Sequence, residues 1–253
     1  MAIKKFEFTD EVNSQGLRRI RALIDIPSLG VSKGNLGGFL EKEDNLSHEG
    51  SCWISDNACI EGNARIWGNA RISGDARIEG DACIWGDARI EGDACIWGDA
   101  RIEGDACIWG NACIMGNARI MGNARIMGNA RIMGNARIEG DARIEGDARI
   151  EGDACIWGNA RIMGNARIMG NARISDNAVI SKAQDYLTVS PVGSENGILT
   201  VFRTPKGVSV TRGCFEGTLE AFEDAVKTKH KKGTQHETKY LSLINYVKIH
   251  FGV

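Results

Sequence analysis

From Ile54 to Ser181 an isoleucine recurs at every sixth residue without a slip, 22 of them in all, the last being Ile180. The unit reads Ala-(Arg/Cys)-Ile-(Glu/Trp/Met/Ser)-Gly-(Asn/Asp), as in Ala76-Arg77-Ile78-Glu79-Gly80-Asp81. Alanine holds the slot two before isoleucine in every repeat from Ala58 to Ala178. A six-residue period fits neither a helix nor an isolated strand and marks a repeat architecture, in which each unit stacks on its neighbours. Alternate side chains of an extended chain point to opposite faces, so Ala and Ile share the inner side. The Arg/Cys slot and the slot after Ile then share the outer side. Gly followed by Asn or Asp supplies a corner, because Gly takes positive φ freely and Asn or Asp does so at low cost. A bend every six residues with Ala and Ile inside predicts a flat-sided solenoid filled by stacked isoleucines.

The pattern Ile-x-Gly-x-Ala-x over 54–181 resembles the hexapeptide repeat of left-handed parallel β-helix proteins. That resemblance implies left-handed winding and three hexads per triangular coil, so that residues 18 apart stack. The hexads then make about seven coils, roughly 35 Å tall at ~4.8 Å per strand. Both ends are marked: Ile54-Ser55-Asp56-Asn57 and Ile174-Ser175-Asp176-Asn177 carry Ser-Asp where the other repeats carry a glycine corner, as terminal repeats are expected to deviate.

The flanks read differently. Lys5–Thr9 and Leu17–Leu23 look like two short strands joined across Asn13-Ser14-Gln15-Gly16, Gly30 to Gly38 reads as loop, and Phe39-Leu40 is placed to tuck under the first coil. Such a segment would cap an open strand edge. Beyond Tyr186, Leu187–Ser190, Ile198–Phe202 and Val208–Thr211 alternate like strands, with turns at Gly193–Gly197 and Pro205–Gly207. Thr218 can N-cap a helix through Leu219, Phe222 and Val226, and a second helix carries Tyr240, Leu243, Ile244 and Val247 on one face. The expected fold is therefore mainly β: a β cap over 1–51, a left-handed parallel β-helix over 52–183, and a small α+β module over 184–253. Lys33–Gly38, Asn45–Gly50 and Gly213–Glu220 resemble a set of uncharacterised bacterial and bacteriophage hexapeptide-repeat proteins. This second resemblance implies an architecture and a phage or prophage setting, but no activity.

Several function classes lose support from the residues. Hexapeptide acyltransferases use a histidine and a protruding loop, and the γ-type carbonic anhydrases of this fold bind zinc through three histidines. Here no histidine lies between Glu49 and Lys229, and no loop interrupts the hexads; His48, His230, His236 and His250 all lie in the flanks. The expectation is no enzyme and no cofactor. The cysteines Cys59, Cys83, Cys95, Cys107, Cys113 and Cys155 occupy the outward slot before Ile, and Cys95 would stack over Cys113. Tetrahedral zinc needs four ligands and no second pair joins them, so a small side chain beside a large neighbour is the preferred reading and no metal is expected. The corner Asp and Asn residues would stack into ladders, where side-chain amides bonding along the edge are favoured over a calcium site. Net charge is −2, and the repeat carries 14 Arg and no Lys with acids interleaved, which argues against a nucleic-acid stripe and predicts only weak surface pairing of Arg with Glu. The N-terminal residues lack an apolar run of signal-peptide type and nothing later reads as membrane-spanning, so a cytoplasmic protein with reduced thiols and no membrane partner is expected.

One outward feature asks for a partner. The slot after Ile holds Trp or Met in 11 of the 22 hexads. Stacked by coil, Trp97, Met115 and Met133 form an unbroken line that resumes at Met169 after Glu151. Trp67 lies over Trp85 on a second face, with Met121 and Trp157 separated by Glu, while Trp109 lies over Met127 on the third, followed by Met163. Contiguous exposed apolar stripes suggest a contact surface, and Trp and Met are favoured at such contacts. The expected function is a non-catalytic scaffold that binds a protein partner or itself through Trp67, Trp85, Trp97, Trp109, Met115, Met127 and Met133. The alternatives are a phage-encoded inhibitor of a host protein or defence system and, less favoured, a degenerate acyltransferase.

Overall fold

The computed structural model describes residues 3–175, 177–193 and 195–253, and its centre is a three-sided parallel β-solenoid. Among the described residues 22 short strands run from Trp53–Ile54 to Val179–Ile180, and all but the last three pair in parallel with the strand three hexads on. The register is the 18-residue one: Ile96 pairs with Ile114, and Ile114 with Ile132. Every repeat isoleucine and alanine is buried, and together they form one continuous core. The corner glycines adopt the left-handed conformation, Gly116 having φ +76°, and Asp56 takes over that role with φ +57° in the first hexad. The corresponding late corner includes Asp176, which lies outside the described residues, as does Ser194 in the expected turn at Gly193–Gly197.

The solenoid has about eight turns rather than seven, because the N-terminal flank supplies one. Leu40 pairs in register with Ile60, and Leu46 forms a parallel bridge to Ile66. These two leucines, six residues apart and fully or almost fully buried, occupy isoleucine slots of an extra coil that rejoins the repeat at Ile54. The stretch expected as loop up to Gly38 is partly strand: Leu36–Leu40 lies antiparallel to Arg18–Ala22 and parallel to Cys59–Ile60. Its glycines serve close approach. A Cβ on Gly37 would stand 2.8 Å from the Ile54 carbonyl oxygen, and one on Gly38 2.5 Å from that of Ala58. The hairpin of Phe6–Val12 and Arg18–Ala22 then extends the same sheet outward. Asn45 completes the cap, its amide donating to the Ala64 carbonyl at 2.8 Å. Lys5 is fully buried beneath the hairpin and donates to Cys52 Sγ at 3.1 Å and to the Gly50 carbonyl at 3.4 Å.

At the other end, Tyr186–Val192, Gly197–Thr204, Gly207–Arg212 and Phe215–Thr218 form a four-stranded antiparallel meander. The fourth strand adds to the three that the alternation predicts, its Phe-Glu-Gly-Thr being short and interrupted by Gly217. Helix α1 (Leu219–Lys229) starts where Thr218 accepts from the Ala221 N–H, and α2 (Gln235–Phe251) is capped in the same way by Thr234. The helices and the meander share a core of their own, including Leu199, Val210, Phe222 and Ile244. Phe202 instead joins the solenoid core, so the meander stoppers the last coil. The open strand edge there is met by hydroxyls. The Arg173 N–H donates to Thr200 Oγ1 at 3.0 Å, Thr211 Oγ1 donates to the Arg173 carbonyl at 2.9 Å, and Ser175 hydrogen-bonds Glu216. No helix among the described residues is long and apolar enough to cross a membrane.

Candidate binding surface

The parallel register fixes what each outward side chain meets. Equal slots stack, so Arg lies over Arg or Cys, and the residues after Ile form columns one strand spacing apart. On face one, built from Cys59–Ile60 through Arg167–Ile168, the column reads Glu61, Glu79, Trp97, Met115, Met133, Glu151, Met169. Its rungs are tied by short backbone bonds: the Trp97 N–H donates to the Ile114 carbonyl at 2.9 Å and the Met115 N–H to that of Ile132 at 2.8 Å. Face two carries Trp67, Trp85, Glu103, Met121, Glu139 and Trp157, and face three carries Glu91, Trp109, Met127, Glu145 and Met163.

The columns are less exposed than the sequence alone suggests. Trp97, Trp109 and Met169 are exposed at 41%, 37% and 54%, whereas Trp67, Trp85, Met115, Met127 and Met133 are half-buried. Stacking at strand spacing explains this, since each large side chain covers the flank of the next. Trp67 and Trp85 show it directly, with ring centroids 5.2 Å apart and planes within 6°. The structure brings Trp97, Met115 and Met133 into one column, pairs Trp67 with Trp85 on the second face, and pairs Trp109 with Met127 on the third.

Two other surface expectations resolve differently. The weak Arg–Glu pairing does not form: among the described residues every ion pair lies in the flanks, none within the repeat. Arg and Glu of one hexad sit two residues apart on a strand, about 6.6 Å, and their vertical neighbours occupy the same slot, so opposite charges are not brought together. The corner ladders do form, with Asn117 donating to Asn135 at 3.0 Å and Asn135 to Asp153 at 2.7 Å. Cys95 pairs in register with Cys113, and burial, followed by the neighbouring Cys113, pushes the Cys95 thiol above its ordinary pKa. Among the described residues no group of His, Cys, Asp and Glu is placed to hold a metal ion.

The flanks leave the faces unequally free. The strand connection Thr204–Gly207 and the neighbouring Val208 and Ser209 face Arg125, Arg143 and Arg161 across a groove of about 900 Å³ that runs along one edge of face three, where the slots before isoleucine lie. Its basic Arg125, Arg143, Arg161 and Lys206 are matched by Asp105, Asp141 and Glu220. On face one the hairpin tip reaches the first hexad, where the Asn13 amide lies 3.3 Å from Cys59 Sγ. With Gln15 it walls a cleft of about 590 Å³ that runs along one edge of the face as far as Arg77 and Cys95, while Tyr186 Oη accepts from the Met169 N–H near the far end. Between them the column from Glu79 through Trp97, Met115 and Met133 to Glu151 lies beside that cleft rather than in it. Cys95, Trp97, Cys113 and Met115 form an uncharged centre, Met133 stands beside Arg131 on the next strand, and Arg77, Glu79, Arg149 and Glu151 border them. Comparison with known protein-family models and with curated proteins returned no match for this chain.

Proposed function

We propose that this chain is a rigid, non-catalytic interaction scaffold that binds protein through face one, and that its solenoid is a hexapeptide-repeat β-helix of the left-handed type. The observation that carries the reading is the unbroken column Trp97–Met115–Met133 on the open part of face one, an apolar centre with a charged border. That is the anatomy of a protein contact, in which aromatic and Met residues fill the core and charges are kept to the rim. Both solenoid ends are occupied by the chain's own caps, which leaves the sides as contact surfaces. The resemblance noted in the flanks supports a phage or prophage setting.

Binding to immobilised full-length chain tests the reading, comparing Trp97→Glu with the control Trp157→Glu on face two. Contacts, whether with another protein or with the chain itself, are expected to be lost with Trp97→Glu and kept with Trp157→Glu. Contacts indifferent to Trp97 would overturn the assignment of face one.

A further inference from the structure

Resting on that reading, we infer that the partner of face one is a second copy of this chain, packed parallel about a two-fold axis that runs along the solenoid. Each strand of face one presents two outward slots, one before and one after the isoleucine. A two-fold along the solenoid axis through the middle of the face lays the first slot of one copy over the second slot of the other at every level. The slot contents are complementary under that operation. Arg77 meets the partner's Glu79, and Arg149 meets the partner's Glu151. Between these charged ends, the small Cys95 meets the partner's Trp97, Cys113 meets the partner's Met115, and the stem of Arg131 meets the partner's Met133. At two of these levels a large side chain falls on a cysteine, at the third Met133 lies along the Arg131 stem, and Glu79 and Glu151 each fall on an arginine that makes no ion pair within its own chain among the described residues.

The antiparallel alternative fails on charge. Turning the second copy end over end lays each slot on the same slot. Centred on Met115, it would set Arg77 against the partner's Arg149 and Glu79 against the partner's Glu151. Like charges so juxtaposed across an interface disfavour that arrangement. The two other faces fit less well. Face three has an apolar run of only two, Trp109 and Met127, with Arg125, Arg143 and Arg161 facing the Thr204–Ser209 segment along its edge, and face two breaks its apolar residues with Glu103 and Glu139. Five levels of a side roughly five residues wide span about 400 Å² on each copy, about 800 Å² in total, which is the size of a weak contact. The dimer is therefore expected to dissociate on dilution, and its mass must be followed over a concentration series.

Sedimentation velocity of the full chain tests this. The wild type is expected to move from monomer to dimer as concentration rises. Arg149→Glu and Glu151→Arg should each remain monomeric, since each variant faces its own copy with like charges. Mixed in equal amounts they should recover the dimer, because position 149 of each then meets an opposite charge at position 151 of the other. A wild type that stays monomeric throughout, or single variants that dimerise as well as the wild type, would overturn the two-fold arrangement. A monomeric wild type that still loses a different protein partner on Trp97→Glu would overturn this inference alone and leave the scaffold reading standing. A dimer insensitive to Trp97→Glu would count against both.

Discussion

A paired glycine substitution isolates what the stacking of coils contributes. Gly116 and Gly170 occupy the same corner column and the same left-handed conformation, φ +76° and +69°. A Cβ on Gly116 would stand 2.9 Å from the Gly134 carbonyl oxygen and 3.3 Å from its nitrogen, whereas at Gly170 nothing lies within 4 Å. Alanine in this conformation costs about 1–2 kcal/mol of local strain, offset by about 0.4–1 kcal/mol through the less flexible unfolded chain. Gly170→Ala should therefore cost about 1 kcal/mol or less. Gly116→Ala adds a backbone clash that the rigid coil beneath relieves only by shifting, an overpacking cost of about 1–3 kcal/mol. Its total should come to about 1–4 kcal/mol, above Gly170→Ala by the overpacking cost of about 1–3 kcal/mol. Urea denaturation followed by tryptophan fluorescence reads the difference. Equal midpoints for the two variants would refute the claim that corner backbones of successive coils are in contact.

Other outcomes follow from the core and the titrating groups. Ile120→Ala, at a fully buried mid-solenoid position, should lower stability by about 2–5 kcal/mol in the same assay, and Ile120→Val by about 0.5–1.5 kcal/mol. Burial, followed by the stacked Glu79 and then Glu41, holds the Glu61 carboxyl above its ordinary pKa. Its folded value exceeds its unfolded one, so ionised Glu61 weakens the fold at neutral pH and protonation relieves it. Glu61→Gln should thus raise the thermal midpoint at neutral pH, with the gain vanishing as pH falls below the ordinary carboxylate range. Glu223 is the opposite case, held down to about 2 by hydrogen bonds from Lys227 and Lys248. Its contribution to holding α1 against α2 is present above the unfolded value and lost as pH falls toward about 2. Glu223→Gln should remove that acid sensitivity from the melting of the C-terminal module.

The six-residue period carried the coil, its inward code and its register, because a parallel stack admits only equal slots one above another. That is why the Trp97–Met115–Met133 column was legible without coordinates. The extra turn lies outside that period, although Leu40 and Leu46 stand six apart, because two inserted residues before Ile54 break the spacing and leucine replaces isoleucine. The N-terminal glycines read as a loop in the sequence, since only the neighbouring Ala58 and Ile54 carbonyls show that they mark close approach within a strand. The differing openness of the faces was invisible for a similar reason. Where the Thr204–Ser209 segment comes to lie depends on how Phe202, Thr200 and Thr211 seat the meander on the last coil, a long-range packing event with no local signature.

The contact claimed for face one can be read from a single bond. In a Cys95→Ser background, which removes the thiol stacked on Cys113, the substitution Met115→Cys places a second thiol on the same face. Two residues apart on one extended strand, with side chains pointing the same way, these thiols are poorly placed to join within a chain. Under mild oxidation of the full chain, the account predicts a disulfide-linked dimer whose peptides join Cys113 to position 115 of the other copy. A chain that stays uncrosslinked at concentrations where it is dimeric, or a bond that joins position 115 to position 115, would contradict it.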